Sequence, residues 1–174
     1  KLGSSASFPY YGGEGFLVVD LPYLGGQTSM TLLVPDRGEF ESFEAGLTRD
    51  QLDSIIAELS YAPMYLSLPK FEFESDISLA QTLAAMGMPS AFSFAADFSG
   101  MTGNKDLFIS DVFHKAFVSV DEEGTEAAAA TAVVMKLTAA PVNPLQVVVD
   151  RPFMFLIRDQ QTNSILFMGR VLEP

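Results

Sequence analysis

Gly124-Thr125-Glu126-Ala127-Ala128-Ala129-Ala130-Thr131-Ala132-Val133-Val134-Met135 is the stretch on which the fold turns, because it satisfies two incompatible patterns. Alanine is the best helix former, so the run reads first as a helix. Read with period two it is a strand: Thr125, Ala127, Ala129, Thr131, Val133 and Met135 fall on one face, and Glu126, Ala128, Ala130, Ala132, Val134 and Lys136 on the other. Its side chains are small wherever such a strand must slide past neighbours. The segment can therefore live in two states.

Upstream of it, residues 107–120 alternate apolar with polar and are expected to form a long strand running into Asp121-Glu122-Glu123-Gly124. Downstream, Val147-Val148-Val149, residues 153–157 and residues 165–171 read as strands, the last two joined by a polar turn over 158–163. Farther out, Gly15-Phe16-Leu17-Val18-Val19-Asp20-Leu21 and Ser29-Met30-Thr31-Leu32-Leu33-Val34 have the spacing of two strands joined by the Leu24-Gly25-Gly26-Gln27 hairpin turn. A short helical pattern starts at Phe40. After Thr48, the residues Leu52, Ile55, Ile56 and Leu59 follow i, i+3, i+4, i+7 spacing, with Asp50 favourably placed in the first turn. The run from Met64 to Glu74 alternates as a strand interrupted at Pro69, and Leu79, Leu83 and Met86 mark a helix ending at Gly87. Residues 91–105 read as irregular. The physics alone predicts an α+β fold with antiparallel sheets and packed helices.

Composition excludes several functions. The 174 residues suit one domain; 48% are hydrophobic, yet the longest apolar stretch, 127–135, is far short of the roughly 18 residues of a membrane span. Against 22 acidic residues stand 10 scattered basic ones, a net charge of −12, so no basic stripe is present to neutralise phosphates, and neither nucleic acid nor an anionic membrane is an expected partner. Cysteine is absent, which removes disulfides, thiol nucleophiles and thiolate metal sites and leaves the redox compartment open. A single histidine excludes a multi-His metal site. Ser–His–Asp catalysis would need His114, which lies in an apolar strand pattern and is expected to be a buried structural residue; no Gly-x-Ser-x-Gly elbow accompanies any serine. The clusters Asp121-Glu122-Glu123 and Glu39/Glu41/Glu44 lack the spacing of a calcium loop and read as solvated charge. No catalytic residue, metal ligand or cofactor is expected, and no enzyme. Lys1-Leu2-Gly3 offers neither an initiator Met nor the apolar core of a signal, so the chain is expected to begin downstream of the protein's true start.

Val147-Val148-Val149-Asp150-Arg151-Pro152-Phe153-Met154-Phe155-Leu156-Ile157, followed by Arg158-Asp159 and Ile165-Leu166-Phe167-Met168-Gly169-Arg170-Val171, resembles at every position the C-terminal signature of the serpins, the serine protease inhibitor family. His114-Lys115-Ala116, then Asp121 to Thr131, resemble the fifth strand of the large serpin sheet and the hinge of an inhibitory reactive loop. Leu66-Ser67-Leu68-Pro69-Lys70-Phe71, Met86-Gly87-Met88, Ala96-Asp97-Phe98-Ser99-Gly100 and Leu21-Pro22-Tyr23 fit the family pattern between them. The resemblance covers essentially the whole chain, but only about half of a serpin domain: it implies a partial serpin fold and, as a partner, a missing N-terminal half.

The resemblance implies a suicide-substrate inhibitor. A target serine protease attacks an exposed loop, here residues 124–146, forms an acyl-enzyme, and is trapped when the cleaved loop inserts as a new strand of the large sheet. It assigns the hinge to Glu122, Glu123, Gly124, Thr125, Glu126, Ala127, Ala128, Ala129, Ala130 and Thr131, and the shutter beneath the parting strands to His114. The family's hinge glutamate usually stands seventeen residues before the cut, counting itself; counted from Glu122 this places the reactive bond between Thr138 and Ala139, with Leu137 and Thr138 flanking the alternative. These residues suit elastase-like, subtilisin-like or chymotrypsin-like targets, and an extracellular place of action is implied. The alternatives are a non-inhibitory serpin acting as carrier, storage protein or chaperone and, more distantly, a hydrolase; the small, proline-free hinge favours inhibition.

Overall fold

Two short apolar runs, residues 16–21 and 29–34, mark the start of the chain, and they pair as a hairpin. The computed structural model describes residues 6–121, 124–125 and 143–174. They form two compact units, one made of residues up to Phe71 together with those from Val120 onward, the other of Glu72–Ser119. In the larger unit β1 (Ala6–Gly13), β2 (Phe16–Pro22) and β3 (Thr28–Pro35) run antiparallel in succession. Gly13 faces Phe16 across a two-residue turn whose Gly15 has φ +80°, a left-handed conformation that only glycine adopts freely. The expected β2–β3 hairpin is present, whereas the pattern of β1 is disguised in the sequence by Pro9 and its closing glycines.

Two helices cover one face of this sheet. They are α1 (Phe40–Gly46) and α2 (Arg49–Ala57). The start of α2 is fixed by a capping box, in which Thr48 Oγ1 accepts from the Gln51 N–H at 3.3 Å while Gln51 Oε1 accepts from the Thr48 N–H at 2.9 Å. Phe40 and Leu52 join Val18, Leu33, Met154 and Leu156 in a buried cluster, with Ile55, Ile56 and Leu59 packed around it as their helical spacing predicts.

The sheet is completed by β4 (Ser60–Ser67) and, after an intervening excursion of the chain, by β8 (Leu145–Val148), β9 (Phe153–Asp159) and β10 (Ile165–Val171), in the order β10-β9-β3-β2-β1-β4-β8. Every neighbouring pair is antiparallel except β4 with β8, where Met64 to Ser67 pair in parallel with Leu145 to Val148. The expected antiparallel pairing holds for every other pair of the sheet; β8 comes back after a long crossover, which a parallel pair requires and a hairpin does not. Central β3 is buried from Ser29 to Pro35 and β9 from Phe153 to Leu156, so these strands are covered on both faces. The ring of Phe71 packs at 5.8 Å on Phe153 and 5.4 Å on Phe155.

In the smaller unit, β5 (Phe71–Ser78) pairs with β6 (Phe113–Asp121) in a three-stranded sheet. Pro69 thus ends one strand and frees the next to enter another sheet. Between them come α3 (Ala80–Ala85), stopped by Gly87 at φ +112°, a 3₁₀ turn (Pro89–Phe92) and α4 (Ser99–Thr102), so the stretch expected to be irregular holds short helical pieces. The strand expected over 107–120 begins only at Phe113. Ahead of it the backbone bonds elsewhere: the Ile109 N–H donates to the Ala91 carbonyl at 2.9 Å and the Leu79 N–H to the Val112 carbonyl at 2.8 Å, while Ser78 Oγ donates to Asp111 at 2.7 Å.

Candidate functional site

The segment that decides the fold leaves one sheet and returns to another. At its start, β7 (Gly124–Thr125) turns back on β6 in antiparallel register, Asp121 opposite Gly124 and Val120 opposite Thr125. Val118 and Val120, on one face of β6, are each 8% exposed, so the strand onto which the chain folds back already has a buried apolar face. At its end, β8 lies along β4 at the border of the seven-stranded sheet, Val147 and Val149 buried, Leu145 and Val148 exposed. Nineteen residues, 126–144, join these two anchors.

Past β8 the chain is clamped. The Val149 N–H donates to the Ser67 carbonyl at 2.8 Å. Arg151 Nε donates to the Pro35 carbonyl at 2.7 Å, and Arg37 and Asp150 form an exposed ion pair at 2.6 Å, tying the return turn to the end of β3. Within β9, Arg158 lies 3.1 Å from Asp20 of β2 and donates through Nε to Thr31 of β3 at 2.8 Å; all three are buried. These bonds make the C-terminal anchor rigid. Spacing could not announce them, since each joins residues more than 80 positions apart.

Of the expected hinge, Gly124 and Thr125 form β7. Glu122, Glu123, Glu126, Ala127, Ala128, Ala129, Ala130 and Thr131 lie outside the described residues, as do Leu137, Thr138 and Ala139 of the expected reactive bond. His114 is corrected: it stands on β6 exposed rather than buried, with no hydrogen-bond partner among the described residues. The reason is that β7 covers only the Val120–Asp121 end of β6, so most of that edge of the strand carries no described neighbour. Among the described residues no three His, Cys, Asp or Glu side chains converge to hold a metal ion. What the described geometry provides is two anchors, β7 paired with β6 and β8 paired with β4, on either side of residues 126–144.

A sequence model of the family described as Serpin (serine protease inhibitor) matches residues 2–174. An uncharacterised serpin-like protein of Thermococcus kodakarensis is 40% identical over 98% of the chain and 40% of its own length. Intracellular coagulation inhibitor 2 of Tachypleus tridentatus is 41% identical over 90% of the chain and 38% of its length, and Iripin-8 of Ixodes ricinus 43% identical over 88% and 40%. Among solved structures, thyroxine-binding globulin in complex with thyroxine superposes with a TM-score of 0.80 at 31% identity, covering 98% of this chain and 45% of that one. The chain spans about two-fifths of the length of the curated relatives it matches. With the family model matching residues 2–174 and relatives 40–43% identical along nearly its whole length, the chain belongs to the serpin family.

Proposed function

We propose that this sequence is the loop-bearing part of a serine protease inhibitor that acts as a suicide substrate. One observation carries the reading: the first hinge residues are already paired with β6, Thr125 opposite Val120. Continued without a bulge, that register sets Ala127 against Val118, Ala129 against Ala116 and Thr131 against His114, so the hinge would fill the uncovered edge of β6. Alanine and threonine suit that path because small side chains enter a packed sheet with little displacement.

The proposed chemistry belongs to the protease. Its serine Oγ attacks the carbonyl carbon of Thr138 and is itself acylated, the bond to Ala139 breaks, and the new amine takes the proton from the protease's histidine and leaves with the C-terminal fragment. Fourteen residues from Thr125 to Thr138, at about 3.3 Å each, then span on the order of 45 Å as an inserted strand. Each added ladder bond contributes a net ~1 kcal/mol, so a full strand supplies on the order of 10 kcal/mol before side-chain burial. Pulling the protease's serine from its histidine and oxyanion hole forfeits factors of roughly 10² to 10⁴ apiece, and deacylation stalls. No catalytic group of this chain is required. The loop must wait exposed in a state held by a kinetic barrier, and the sheet partners it needs come from a longer serpin of which these residues form the C-terminal part. Elastase-like, subtilisin-like and chymotrypsin-like targets fit Thr138 and its apolar neighbours. The reading puts the place of action outside the cell; the relative named as an intracellular coagulation inhibitor marks the other location open to the family.

The test is Thr125→Arg in a longer serpin carrying these residues. In the inserted strand position 125 shares the face of buried Val120, so a guanidinium there delays insertion until the acyl-enzyme hydrolyses. The expected result is cleavage without trapping; undiminished formation of a detergent-stable protease complex contradicts the reading. A carrier role is the second reading, favoured by the likeness to a globulin solved with thyroxine, and it predicts no stable complex from either protein.

A further inference from the structure

Between the β1–β2 turn and the two helices lies a cavity of about 500 Å³ that protease inhibition does not use. Its floor is made by Phe16, Phe43, Leu47 and Ile55, all packed against the apolar cluster beneath α1 and α2. The Phe16 and Phe43 rings stand 5.0 Å apart and tilted by 48°, so the floor is pinned by its own contacts. Two carboxylates, Glu14 and Asp50, stand exposed at the mouth with no ion-pair partner among the described residues, and no Lys or Arg lines the cavity. The lining serines are committed elsewhere, Ser42 Oγ donating to the Glu39 carbonyl and Ser54 Oγ to the Asp50 carbonyl. Gln51 also lines the cavity, its Oε1 accepting from Thr48, so what remains for a ligand is an apolar floor, the two anionic acceptors and the Gln51 amide N–H groups.

We propose that this cavity binds an amphipathic organic cation, a protonated amine carried on an aromatic body. The ring displaces water from the phenylalanine floor, and the ammonium sits between the carboxylates. The volume falls within the range of small-molecule sites, which are concave, mostly apolar and oriented by few polar groups. Gly46 supplies an independent handle. It lines the cavity at the end of α1, and a Cβ placed on it meets no heavy atom within 4 Å, so a larger side chain there enters open space.

Three probes that share one ring test the idea by calorimetric titration of the full chain: 1-naphthylmethylammonium, neutral 1-naphthylmethanol and anionic 1-naphthoate. The cation should bind roughly three- to tenfold more tightly than the neutral probe at low ionic strength, and the anion least tightly. Glu14→Gln with Asp50→Asn should bring the cation down to the neutral probe's affinity. Gly46→Leu should abolish binding of all three while leaving the unfolding midpoint unchanged. No binding at millimolar probe, equal binding of the three, a cation preference surviving the double substitution, or undiminished binding to Gly46→Leu would each overturn the proposal. None of these readouts depends on protease inhibition, so the two readings fail separately.

Discussion

Arg158 and Asp20 are 6% and 3% exposed, and their 3.1 Å pair is buried with Thr31 among three strands. Removing one partner of such a pair leaves an uncompensated charge in the interior. Asp20→Ala should therefore destabilise the fold by about 3–5 kcal/mol, and the double variant Asp20→Leu with Arg158→Met by clearly less; denaturant unfolding of the parent and the two variants measures both. Nothing local in the sequence marks this pair, because Asp20 reads as one polar position in a strand and Arg158 as the start of a polar turn. Asp159 acts on a smaller scale. The Thr162 N–H at 2.7 Å, the Thr162 hydroxyl at 2.8 Å and the Gln161 N–H at 3.1 Å hold its carboxyl below the usual range. A lowered folded-state pKa adds stability that is present above the unfolded value of about 3.9 and is lost as pH falls through the folded one. The deficit of Asp159→Asn relative to the parent should thus be largest near neutrality and shrink below about pH 4; a deficit constant from pH 7 to 2.5 would contradict the assignment.

Elements with a strong period were legible: the β2–β3 hairpin, the helix α2 after Thr48, and the C-terminal strands all follow from local pattern. The misreadings share a cause. Residues 107–112 alternate like a strand, but their backbone groups are taken by the helical segments beside them, and β8 pairs in parallel because its partner is chosen by tertiary structure. Of the candidate site, β8 was legible from the apolar run Val147-Val148-Val149, while the exposure of His114 depends on which strands stand beside β6. Close packing between elements is a further property that sequence alone hides. A Cβ on Gly169 of β10 would fall 2.5 Å from the Phe155 ring of β9, so Gly169→Ala should cost about 1–3 kcal/mol by forcing that ring aside. An unchanged unfolding midpoint would show that β9 and β10 are less tightly joined than described.

At the scale of the molecule, the chain's connectivity decides what the loop can do. A segment that starts on the three-stranded sheet and ends clamped on the seven-stranded one can be cut without releasing either anchor, and the freed N-terminal portion then has β6 as its template. On the proposed reading, that is how such a loop would stall the protease that cuts it. The measurement that tests it most directly joins a longer serpin bearing these residues to an elastase-like or subtilisin-like protease, isolates the detergent-stable complex, and weighs the C-terminal fragment released from it. The account predicts a covalent complex and a fragment that begins at Ala139, or at Thr138 for the shorter hinge; absence of the complex, or a fragment beginning at Leu137 or after Arg151, would contradict it.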